Sequence, residues 1–142
     1  MITVFSLLKE ILEPTREYKE QVDTIIGQGG KFLGSGDYGA AYLVGDVVKK
    51  VTTDEVEIEH ALILKGKKTK YFVPILDVEV KDPKLGIITM PDMERNTEEV
   101  SEEFIEGLEA EAEMLGIDPE ELDIRPDNFM RDKAGNLKMT DV

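Results

Sequence analysis

Leu122-Asp123-Ile124-Arg125-Pro126-Asp127-Asn128-Phe129-Met130, followed after a short gap by Thr140-Asp141, is the most specific stretch of this 142-residue chain. Its turn-forming residues make Asp118–Asn128 a loop. Phe129–Arg131 then reads as a short strand, Lys133–Gly135 as a turn and Leu137–Thr140 as a returning strand. A loop rich in carboxylates is thus tied to a hairpin that ends on one more carboxylate, Asp141.

Working back from that loop, Val100, Phe104, Leu108, Ala112 and Leu115 form one apolar stripe of a long helix. Asn96 is its expected cap, with Glu99 completing a capping box. Further back, Phe72–Val80 and Gly86–Met90 read as strands separated by a turn at Asp82-Pro83. Asp54–Leu64 reads as a helix capped by Thr53 or Asp54. Before it lie three strands, Lys31–Gly34, Ala40–Val44 and Val47–Thr52, the last two joined by Gly45-Asp46, a pair suited to a two-residue hairpin turn. Val4, Leu7, Leu8 and Ile11 have helical spacing within Thr3–Glu13, Pro14 breaks that helix, and a more polar helix is expected from Thr15 to Ile26. The order of elements predicts an α+β fold with a mostly antiparallel sheet.

Leu33-Gly34-Ser35-Gly36-Asp37-Tyr38-Gly39-Ala40-Ala41-Tyr42 joins two strands through a glycine-rich turn. Glycines at such a turn let backbone amides approach phosphate oxygens where a β-carbon would obstruct them. A dinucleotide site needs a helix directly after the glycines, whereas a strand follows here. If Gly45-Asp46 is the whole turn, Ala41 faces Lys50 and Leu43 faces Val48 on one side of the sheet, and Lys49 points to the other. A different turn length reverses that parity and exchanges the two lysines. A lysine near phosphates is usually held by a carboxylate. Glu57, with Ile58, Ala61 and Leu64 beside it, is the preferred partner, and Glu59 is its rival. His60 is expected to be a partly exposed helix residue.

These motifs together resemble the protein-kinase superfamily over roughly Lys31 to Val142. Asp123, Arg125, Pro126 and Asn128 match the catalytic loop, and Asp141 falls where the family carries its second metal-binding residue. Phe72-Val73-Pro74-Ile75-Leu76-Asp77-Val78 resembles the strand after the kinase helix. Ile88-Thr89-Met90-Pro91-Asp92-Met93 resembles the hinge between lobes. The Leu-Gly-x-Gly and Ala-Ala-Tyr opening is most similar to small Ser/Thr kinases of lytic bacteriophages.

The resemblance implies ATP and Mg²⁺ as cofactors. It implies that Gly34, Ser35, Gly36 and Gly39 border the phosphates, that Ala41 roofs the base, and that Met90 and Met93 belong to the adenine-binding hinge. Lys50, oriented by Glu57, would hold phosphates, and Asn128 and Asp141 would hold Mg²⁺. Asp123 would accept the proton of an acceptor hydroxyl, with Arg125 near the transferring phosphate. The implied organisation is a helical extension over 1–30, a kinase-like first lobe over 31–90, and hinge, acidic helix and catalytic loop over 91–142, with most of a second lobe absent. Two positions depart from the family. Glu121 and Leu122 stand where it usually carries His and Arg, so control by activation-loop phosphorylation is not expected.

The net charge of −14 argues against nucleic acid, since binding phosphates requires clustered Lys and Arg. Of the 31 acids, 12 lie between Glu98 and Asp123, where there is no Lys or Arg. No apolar run approaches a membrane span. The absence of cysteine excludes a disulfide scaffold and fits a cytoplasmic setting, that of the host if the chain is phage-encoded. The function expected is phosphotransfer to Ser or Thr hydroxyls of the chain itself or of a docked protein. The competing class is a non-catalytic acidic pseudokinase or inhibitor that binds a basic host protein.

Overall fold

The computed structural model describes residues 17–36 and 38–141. The helix expected over Thr3–Glu13, the break at Pro14, the start of the next helix at Thr15, and residues Asp37 and Val142 lie outside them. Helix α1 runs through 17–27. Strands β1 (Lys31–Ser35), β2 (Gly39–Val44) and β3 (Val47–Thr52) follow, then α2 (Glu55–Leu64), β4 (Asp77–Asp82) and β5 (Leu85–Pro91). The chain continues through β6 (Glu94–Arg95), α3 (Glu102–Leu115), β7 (Phe129–Arg131) and β8 (Leu137–Met139). The protein is α+β. Its main sheet is five-stranded and antiparallel throughout, in the order β1-β2-β3-β5-β4, and β6-β7-β8 form a small second sheet.

Gly45 takes a positive φ of 65°, which closes the β2–β3 turn in two residues. Ala41 accordingly pairs with Lys50 and Leu43 with Val48. Alternation along the strands then sorts the side chains onto two faces. On the inner face, Val78, Ile88 and Met90 pack with Ala61 and Leu64 of α2 and with Leu108 and Ala112 of α3. On the outer face, Ala40, Tyr42, Val51, Leu85 and Ile87 pack against Ile25 of α1.

Two elements differ from expectation. Phe72–Val80 is not one strand, because only Asp77 onward joins the main sheet. Phe72 instead makes a parallel bridge to Met139, the Val73 N–H donates to the Met139 carbonyl at 2.9 Å, and the Met139 N–H donates to Tyr71 at 2.8 Å. That segment couples the tail hairpin to the main core, and Pro74, with no N–H to donate, separates its two pairings.

The long helix also begins later than expected. Ser101 is its cap, accepting from the Phe104 N–H at 3.1 Å, so Asn96 and Glu99 do not form the capping box. The Asn96 side chain is already committed. It bonds the Glu98 backbone and accepts from Arg131 Nε at 3.2 Å, while Arg131 also pairs with Glu98 at 3.1 Å. The helix ends on Gly116 at φ 83°, with the Ile117 N–H donating back to Ala112. Its Gly107 packs against Tyr71, since a β-carbon there would lie 2.2 Å from the Tyr71 hydroxyl oxygen and 2.3 Å from its ring. Tyr71, Phe104 and Phe129 stack edge to face at 5.0 and 5.9 Å, linking α3 to β7.

Candidate functional site

Strand β3 and helix α2 are separated by only two residues, Thr53 and Asp54, and Asp54 is the helix cap. The Thr52 hydroxyl accepts from the Asp54 N–H at 3.1 Å, and the Asp54 carboxylate accepts from Val56 at 3.0 Å. This fixes the first turn of α2 directly against the inner face. Glu57 is carried to Lys50, and the Lys50 Nζ donates to its carboxylate at 2.5 Å. Glu57 is buried, whereas Glu59 is exposed.

The same ammonium donates to Asp141 at 2.8 Å, across 91 positions of sequence. Asp141 is held there because the Thr140 N–H and hydroxyl both donate to the Asn128 carbonyl, at 2.8 and 3.2 Å. Lys50, Glu57 and Asp141 thus meet directly. Asn128 is buried and joined to them through that backbone tie, and its amide nitrogen donates to the Asp123 carbonyl at 2.7 Å. Asp123 ion-pairs with Arg125 at 2.7 Å, both side chains being exposed.

Three charges in one half-buried place disturb one another. Burial works against the Lys50 charge, but the carboxylates of Glu57 and then Asp141 outweigh it and raise its pKa. Burial is also the main influence on Glu57; together with a hydrogen bond to Asp141 it pushes that carboxyl up to about 7 against the pull of Lys50. For Asp141 burial acts upward, yet the hydrogen bond from Glu57, then Lys50, hold its carboxyl below the usual value. Of the two acids, Asp141 is the firmer anion. Arg125 is held charged chiefly by its hydrogen bond to Asp123, with Asp127 and Asp141 adding to it.

The glycine-rich turn joins β1 to β2, the strand that pairs with β3. The Gly36 N–H donates to the Gly39 carbonyl at 2.9 Å, and Thr53 ties down Tyr38 through two bonds to its carbonyl. Its three glycines are not equivalent. A β-carbon at Gly39 would lie 2.1 Å from the Val51 carbonyl oxygen, so close backbone approach alone requires that glycine. Gly34 and Gly36 have open space where a side chain would be, and neither has a positive φ. Ser35 ends β1, exposed. Ala41 is half-buried directly opposite Lys50.

Met90 is buried in the core at the end of β5, paired with Val48. Met93 is half-buried against the same core, and its N–H and C=O make no backbone hydrogen bond to another described residue.

His60 differs from expectation. It is buried, and its Nε2 lies 3.7 Å from the Glu121 carboxylate, so it links α2 to the segment leading into the Asp123 loop. The signal was available in the sequence, because Glu57, His60, Ala61 and Leu64 form one helical stripe. Arg131, which anchors Asn96 and Glu98 beside the loop, and the short strand β6 were not expected. Both depend on contacts between residues more than 30 positions apart. Among the described residues no cluster of three or more His, Asp or Glu side chains could hold a metal, and no helix is long and apolar enough to cross a membrane. No protein-family model matches this sequence, and no curated protein matches it.

Proposed function

We propose that this chain is a minimal protein-kinase-like binder of Mg·ATP that transfers phosphate to a Ser or Thr hydroxyl, on itself or on a docked protein. The observation that carries this reading is the Lys50 ammonium held between Glu57 and Asp141. A partly buried ion pair is weak as a device for stability, since well-packed apolar groups serve as well. A lysine kept charged and immobile on a sheet face is, however, what phosphate oxygens require.

The residues present fit the group. Mg²⁺ takes oxygen ligands and commonly uses one or two protein donors when phosphates complete its shell. Asp141 remains an anion and Asn128 offers an amide oxygen, which is a donor set of that size. Gly34 and Gly36, with no neighbour within 4 Å of a would-be side chain, leave room for phosphates to approach the turn. The unpaired backbone of Met93 offers one donor and one acceptor, as an adenine edge needs. When bound, Mg·ATP would supply a phosphoryl group to the hydroxyl, with ADP as the other product. Asp123 would take the hydroxyl proton, while Arg125 would neutralise charge nearby.

Melting the protein with and without millimolar Mg·ATP tests this reading. The transition is expected to rise in temperature, and Asp141→Ala to abolish most of the rise. Asp123→Ala should keep the rise and lose incorporation of labelled phosphate. No rise at all would overturn the proposal.

A further inference from the structure

A cavity of about 460 Å³ opens beside the Asp123 loop, between it and the start of α3. Val100, Ile105, Ile124 and Phe129 form an apolar floor, of which all but Phe129 are part-exposed. Glu98 and Glu99 stand on the rim. Arg125 also lines the cavity and is ion-paired with Asp123 at 2.7 Å, so one side chain connects the cavity to the Asp123 carboxylate. Glu98 is engaged by Arg131. Glu99 has no Lys or Arg in ion-pair range among the described residues, and the adjacent exposed turns of α3 add Glu102, Glu103 and Glu106.

An open apolar floor next to uncompensated negative charge fits one kind of occupant. The apolar part gains by leaving water, and a cation beside it meets an attractive field that also repels acidic segments. We propose that this groove docks an extended protein segment in which Lys or Arg lies close to an apolar residue. Bound there, the segment brings a neighbouring Ser or Thr hydroxyl beside Asp123. That last step rests on the kinase-like reading above, whereas the docking does not.

The test uses fluorescein-labelled peptides and the full chain, read by fluorescence anisotropy. One peptide carries Arg-Arg and Leu around a Ser, a second replaces Arg by Glu, and a third replaces Leu by Gly. The first should bind at least about tenfold tighter than either control, and more weakly as salt rises. Glu99→Lys turns rim attraction into repulsion and should weaken the first peptide about tenfold. It should leave the melting temperature and its response to Mg·ATP unchanged, since Glu99 is exposed and its side chain makes no ion pair with another described residue. Ile105→Gln should weaken the same peptide through the floor.

Equal binding of all three peptides, or binding indifferent to Glu99→Lys, overturns the proposal. Preferential binding without any Mg·ATP effect keeps the groove and removes the kinase-like reading. A Mg·ATP effect with no peptide preference does the reverse.

Discussion

Ile87 and Ile88 are neighbours on β5 and face opposite ways. Ile87 joins an outer face on which the buried side chains among the described residues are hydrophobic and α1 supplies cover. Ile88 joins the inner face, opposite Lys50, where the main core is interrupted by an ion cluster. Both faces bury apolar area and stabilise the fold through it. Only the inner one also bears the desolvation cost of Lys50 and Glu57, which apolar side chains could remove. The difference teaches that the outer face is built for stability, while the inner face gives some of it up to hold charge in a fixed place.

The contrast can be broken at the isoleucines first. Ile88→Ala should cost about 4 kcal/mol and Ile87→Ala about 2.5 kcal/mol in urea unfolding, because the main core has less freedom to collapse around a void. Equal losses would mean that the two cores are equally rigid.

Next come the glycines. Gly39→Ala should cost about 3 kcal/mol, since its β-carbon would collide with the Val51 carbonyl. Gly36→Ala should change stability by no more than about 0.5 kcal/mol, yet reduce the Mg·ATP melting shift. A Gly36 variant that keeps the full shift would detach the turn from nucleotide binding.

Removing one partner of the ion cluster sharpens the comparison further. Glu57→Ala should cost about 2 kcal/mol, less than for a fully buried pair because Lys50 retains Asp141 and some water. Lys50→Met combined with Glu57→Leu should recover most of that stability while leaving no Mg·ATP response. In metal-free buffer the raised Glu57 pKa gives the native state a proton that the unfolded chain has lost. Stability should therefore fall as pH rises from about 4.5 to about 7, and Glu57→Gln should flatten that slope.

The smallest effect belongs to the outer face. Burial, then Tyr42, raise the Tyr18 pKa above its usual 10.0, with Lys50 opposing, so Tyr18 contributes to a loss of stability as pH climbs through that range. Comparing alkaline unfolding of Tyr18→Phe with the parent protein isolates this share from the one due to Lys50.

Much of this was legible because it is local. The Gly45-Asp46 turn set the parity that puts Lys50 on the inner face, and Lys50 and Glu57 are only seven positions apart across a capped turn. The helix start at Ser101 was not legible, because Asn96 is the better cap until Arg131 claims its side chain from 35 positions away. The division of Phe72–Val80 was hidden for a similar reason, since its first residues pair with β8 near the other end of the chain.

By itself the sequence determined the α+β class and most of the order of the elements, β6 excepted. It also tied Lys50 to one face of β3 on the condition that Gly45-Asp46 is the whole turn, all through spacing and turn chemistry acting over a few residues. Tertiary structure alone decided that Asp141 reaches that lysine, that His60 lies near Glu121, and that an apolar groove lies beside the Asp123 loop. Each of these depends on how the tail hairpin docks against Phe72 and α3, and contacts between distant segments leave no periodic trace in either one.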